Sequence, residues 1–110
     1  MLNQIVLVGR MVKDPILKET EHGKKRSLIT LAIPRSFKNV DGSYDTDFID
    51  CVLWDGIAKN TVEYCKKGDI IGVKGRLQSR KYEVDNLTKY LVEVIAEKVT
   101  FLTSRKEAEE

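Results

Sequence analysis

Cysteine and histidine are scarce in this sequence: two cysteines and one histidine in 110 residues. Cys51 and Cys65 form no CxxC pair. With His22 alone beside them, they fall short of the four ligands of a structural zinc site. No metal and no cofactor are expected, and both thiols are expected free, in the reducing cytoplasm. Long hydrophobic runs are missing as well. The longest, residues 5–8 and 52–54, are far too short to span a bilayer, so no membrane partner is expected. The N-terminus has no charged region ahead of its apolar run and no small-residue cleavage site, which reads as no secretion signal. Catalytic signatures are absent too: no GxxxxGK[ST], no GxGxxG after a strand, no HExxH. Asp45, Asp47 and Asp50 cluster, but without the loop spacing and terminal Glu of an EF-hand. They read as a solvated hairpin rim, and no enzyme is expected. His22, next to Gly23, reads as part of a surface turn. Excess charge of one sign is lacking: the net charge is +2, so only its distribution can speak for a nucleic-acid partner.

What remains is a composition of 42% hydrophobic and 33% charged residues, which fits one soluble domain. A β-branched first strand covers residues 2–12 and is broken by Asp14-Pro15. The polar segment KETEHGKKR leads to a second strand, SLITLAIPRSF, which Pro34 should end, bulge or place at an edge. Asp41-Gly42 marks a turn. DFIDCVLW forms the third strand. A helix follows, with Asp55 as its cap, Ile57, Ala58, Thr61, Val62 and Cys65 at helical spacing, Lys66 and Lys67 in its last turn and Gly68 at its end. The fourth strand runs from Ile70 to Tyr82, EVDNLTK turns, and YLVEVIAEKVTFL forms the fifth. The expected fold is all-β: a five-stranded OB-fold Greek-key barrel with one helix between strands 3 and 4. It occupies residues 1–103, with a polar tail over 104–110. Another small α+β fold is the alternative from pattern alone.

Alternation in DFIDCVLW puts Ile49, Cys51 and Leu53 on one face and Phe48, Asp50, Val52 and Trp54 on the other. Two aromatic rings therefore stand on the face that should meet water. In the fourth strand Lys74, Arg76, Arg80 and Tyr82 share a face, with Lys81 adding charge at its end. Rings interleaved with cations suit single-stranded nucleic acid: bases stack on the rings, at about 1–3 kcal/mol per base, and cations follow the phosphates. Phe37, between Arg35 and Lys38, repeats the pairing. The competing readings are a solvated basic face for the cations and burial at a barrel end or subunit interface for the rings.

The segments MLNQIVLVGRMVKDP, TLAIPRSF, DFIDCVLWDGIAKN, YCKKGDIIGVKGRLQSRKYE and VEVIAEKVTFL, in this order, resemble bacterial single-stranded DNA-binding proteins of the SSB family. The likeness is greatest to the short Gram-positive paralogues and covers residues 1 to about 102. It implies a homotetramer, or a dimer, of OB-folds. Such proteins bind single-stranded DNA with little sequence preference and protect it in replication, recombination, repair or DNA uptake. It implies stacking by Phe37, Phe48, Trp54 and Tyr82 and phosphate contacts by Lys67, Arg80 and Lys81. Arg35, Lys74 and Arg76 are added from the face pattern alone. The first strand and the last hairpin would build subunit contacts. Asp50, and Asp55-Gly56 after Trp54, stand where the family usually offers more positive charge. Pro34, the KKR segment after Gly23 and the DNLTK turn also depart from its pattern. The chain ends SRKEAEE, without the acidic tip by which replicative members recruit enzymes, so no recruitment by that route is expected. The rival reading is a primosomal replication-restart OB protein, a dimer working through protein partners.

Overall fold

The computed structural model describes residues 1–103; the tail expected over 104–110 lies outside the described residues. The elements are β1 (Ile5–Met11), β2 (Lys18–Glu19), β3 (Lys25–Pro34), β4 (Thr46–Trp54), α1 (Asp55–Tyr64), β5 (Ile70–Val84) and β6 (Leu87–Phe101). They form one sheet in the order β1-β5-β6-β4-β3-β2, with an additional β1–β3 pairing. β1 serves two neighbours: residues 5–10 pair with β5, and Arg10 and Met11 pair with Ala32 and Leu31 of β3.

This corrects the expected fold. The sheet has six strands rather than five, it is mixed rather than a Greek-key barrel of the OB type, and the helix lies between β4 and β5. The extra strand is β2, two residues from the supposed polar loop, too short to leave a periodic signal. The mixed character comes from β4 and β6, which run parallel through Cys51↔Val94 and Val52↔Ile95. Alternation within a strand carries no information about such a distant neighbour.

The core is drawn from the inward residues of five strands: Met11, Ile29, Leu31, Cys51, Leu53, Ile71, Val73, Val94 and Ala96, closed by Ala58 and Cys65. β3 ends at Pro34, as a residue without an N–H should make it. Both cysteines are free and buried. Burial, with a smaller contribution from Asp50, pushes the Cys51 thiol up to about 12, so it stays protonated and inert at neutral pH.

The helix ends differ from the sequence reading. Trp54, not Asp55, takes the N-cap position, with no side-chain cap bond. Asp55 is the first helical residue, at φ +50°, and its Oδ1 accepts the Lys25 N–H at 3.3 Å. Its side chain therefore fastens the helix to β3 rather than capping it. α1 stops at Tyr64, leaving Lys66 and Lys67 beyond it. Gly68, at φ +91°, belongs to the next turn, closed by the Asp69 N–H donating to Lys66 O at 3.1 Å.

β5 and β6 are each 15 residues long and joined by Asp85-Asn86. Both turn residues have positive φ (53° and 63°), the geometry of a two-residue type I′ hairpin. Lys74 pairs with Lys98 and Gly75 with Ala96, so Glu97 is skipped as a bulge. Past the bulge the hairpin leaves the core: residues 79–84 and 87–92 are all exposed.

Candidate nucleic-acid interface

Nine antiparallel pairs, from Arg26↔Trp54 to Pro34↔Thr46, tie β3 to β4 without a break. An unbroken register keeps every second residue on one face. The outer face therefore carries five cross-strand pairs: Trp54 with Arg26, Val52 with Leu28, Asp50 with Thr30, Phe48 with Ala32, and Thr46 with Pro34. Phe48 is 65% exposed, opposite only the small Ala32. Trp54 is half-buried, with the Arg26 guanidinium carbon 5.8 Å from its ring centroid. That is cation–π distance. Val52 departs from the alternation reading: it is only 2% exposed, beside Ile95 of β6. Asp50, between the rings, is not bare, because the Thr30 hydroxyl donates to its Oδ1 at 2.6 Å.

Two further rings are exposed. Phe37, in the loop after β3, is 62% exposed. Tyr82 lies on the exposed hairpin at 42%, on the same face as Arg80. Phe48, Ile49 and Asp50 face Leu77, Val92 and Glu93 across a cavity of about 290 Å³, which joins the β4 face to the hairpin base.

The cations named from sequence are less uniform. Arg35 donates through Nε and Nη2 to Asp47, at 3.2 and 2.9 Å, and lies 3.6 Å from Asp45. That bond holds the Asp47 carboxyl below its ordinary pKa and raises Arg35. Two members of the acidic cluster thus serve one guanidinium. Arg76 donates to Gln78 at 2.7 Å and lies 3.8 Å from Glu97. Arg80 lies 3.5 Å from Glu93. Lys74 is exposed between Val6 and Lys98. Lys81 pairs with Tyr90, on the hairpin face opposite Arg80 and Tyr82. The Lys67 side chain is exposed, while its backbone N–H donates to Asp14 at 2.8 Å.

The structure adds cations that the sequence reading passed over. Arg26 sits on Trp54, and a second groove, about 130 Å³, opens beside it with Lys13 and Lys18 in its lining. The KKR segment was the only sequence trace of this. Its meaning depends on the register that sets Arg26 against Trp54.

Similarity to known proteins agrees with this geometry. Residues 2–102 match the family model described as Single-strand binding protein family. The chain is 46% identical over 103 residues to Single-stranded DNA-binding protein B of Bacillus subtilis, covering 93% of the chain and 91% of that protein. It is 44% identical over 109 residues to Single-stranded DNA-binding protein 1 of Clostridium acetobutylicum, covering 97% and 99%. It is 47% identical over 106 residues to the Single-stranded DNA-binding protein of Bacillus cereus, where it spans only 62% of the relative's length. With an aromatic, cation-bearing sheet face and a match over nearly its whole described length, the chain belongs to the single-strand binding protein family.

Proposed function

We propose that residues 1–103 act as one unit that binds single-stranded DNA without sequence preference. It protects the strand during replication, recombination, repair or uptake. It is a binding protein, not an enzyme. The carrying observation is the outer face of β4, where an open Phe48 and an Arg26-backed Trp54 share one side of a strand. A ring left in water on a rigid strand is a stacking platform already in place, and every base has a π face to offer it. Phe37 and Tyr82 extend the platform. Lys67, Lys74, Arg76, Arg80 and Lys81 follow the phosphates.

Titrating oligo(dT) against the fluorescence of the single Trp, at two salt concentrations, tests the reading. Strong quenching that weakens with salt is expected. No quenching at either salt overturns it.

Arg35 joins the phosphate contacts only by leaving its carboxylates. Asp47→Asn removes the bidentate partner and is expected to steepen the salt dependence by about 0.7 in the log–log slope, one added phosphate contact. An unchanged slope assigns Arg35 to holding its loop.

The assembly proposed is a homotetramer. It is supported by Val6 and Val8, 67% and 53% exposed on the outer side of β1, and by the apolar residues of the hairpin arm. Apolar surface of this kind marks contact sites. The molar mass in solution should equal four chains. A mass of two chains would favour the replication-restart reading instead.

A further inference from the structure

We infer that one phosphate of the bound strand docks between Lys18 and Arg26, in the groove beside Trp54, so that this groove holds the backbone while Trp54 stacks the adjoining base. The inference rests on the proposed function and assigns it a contact outside the set above.

The observation behind it is a row of three residues across three strands. Lys18 of β2 stands opposite Arg26 of β3, and Arg26 stands opposite Trp54 of β4. β2 has only two residues. One of its pairs is favourable: Glu19 opposite Lys25, with an ion pair at 3.1 Å. The other sets two cations directly opposite each other, an arrangement that destabilises a strand pair. The strand is held instead by the Glu19–Lys25 ion pair and by the turn beyond it, where the Thr20 N–H donates to Lys24 O at 2.8 Å. A local rule broken on a surface is expected at functional sites.

The surroundings sharpen the point. The groove is lined by Lys13, Asp14, Ile16, Lys18, Arg26 and Leu28. Asp14 is its one carboxylate, and it already accepts the Lys67 N–H. Among the described residues, no carboxylate forms an ion pair with Lys13, Lys18 or Arg26. The groove is therefore a concavity with three cations against one carboxylate, Asp14, which is turned to the Lys67 N–H. Contact with Trp54 restrains the Arg26 guanidinium, so less freedom is lost when its planar N–H fork meets a phosphate. Neighbouring strands lie about 4.8 Å apart, so the cation pair sits one to two strand spacings from the ring, within one nucleotide's reach.

The test uses the full chain, oligo(dT) and Trp fluorescence over a range of salt, with Arg26→Gln, Lys18→Gln and the double variant. Thermal midpoints without DNA at low salt form the second readout. The double variant should lose about 0.7 from the log–log salt slope, the value for one phosphate. Saturating quenching should persist, and Arg26→Lys should keep the slope. Without DNA, Arg26→Gln should melt at or above the parent temperature, because the repulsion is gone. If the parent binds and the double variant keeps its slope, the groove holds no phosphate. If Arg26→Gln lowers affinity and melting temperature together at constant slope, Arg26 merely props Trp54, and the inference also fails. A parent that shows no quenching overturns both this and the binding reading.

Discussion

Gly75→Ala is expected to remove a large part of the protein's stability. A Cβ at this position would stand 2.1 Å from the carbonyl oxygen of Ile95, 3.0 Å from its carbon and 3.2 Å from the Cα of Ala96. All three are backbone atoms of β6, so no rotamer change relieves the clash. They belong to the tight crossing where Glu97 is skipped and the two strands turn from the core into the exposed arm. Separating the strands there would loosen Gly75↔Ala96 and Arg76↔Ile95 and open the core at Val73 and Val94. Clashes of this kind belong to the exceptional class of substitutions, at about 4 kcal/mol or more. A domain of this size has about 5–15 kcal/mol in all. Gly9 is the control. Its Cβ would meet Ile33 Cγ1 at 2.8 Å, and the Ala32 carbonyl oxygen and Leu31 Cβ at 3.0 Å, a milder overlap than the 2.1 Å at Gly75. Urea unfolding followed by circular dichroism should therefore rank the parent above Gly9→Ala and Gly9→Ala well above Gly75→Ala. A Gly75→Ala variant as stable as the parent would show that β5 and β6 do not cross this closely.

Much of the fold was legible because alternation is a local property. The buried residues Cys51 and Leu53 of β4 and Ile71 and Val73 of β5 follow from it, and the strand end at Pro34 follows from its missing N–H. What was not legible depends on partners. β2 is too short to alternate, and the parallel β4–β6 pairing leaves no trace in either strand. That pairing also explains Val52, assigned to the ring face by alternation yet buried beside Ile95. The cations show the same limit. On sequence, Arg76 and Arg80 are bare charges on one face of a strand. In the sheet, Glu97 and Glu93 of β6 come within 3.8 and 3.5 Å of them. Arg35 looks equally bare until the chain returns along β4 and presents Asp47. Arg26 errs the other way: the KKR segment stands out only as a departure from the family pattern, and register places Arg26 on Trp54. Residue type and spacing located the rings. Which cations are free to meet phosphate is decided by strands far away in the chain.

The rings should carry the largest effect on binding. Phe48→Ala and Trp54→Ala are each expected to cost about 1–3 kcal/mol of affinity, one base stack. Six positions along a strand separate them, about 20 Å, so they do not share a base and their losses should add. The double variant then binds about 30-fold to more than 10⁴-fold more weakly. Anisotropy of a labelled oligo(dT) reads this without the Trp signal. The single variants should differ in a second way. Phe48 is open, with only the small Ala32 opposite it on β3, so its removal should leave thermal stability within about 0.5 kcal/mol. Trp54 is half-buried under Arg26, so its removal should also lower the melting temperature. Neither ring carries charge. Phe48→Ala should therefore shift the whole salt-dependence line downward at constant slope, the mark of a lost stack rather than a lost phosphate. If Phe48→Ala leaves affinity intact but lowers the molar mass in solution, the ring is a subunit contact, and the stacking platform must lie elsewhere.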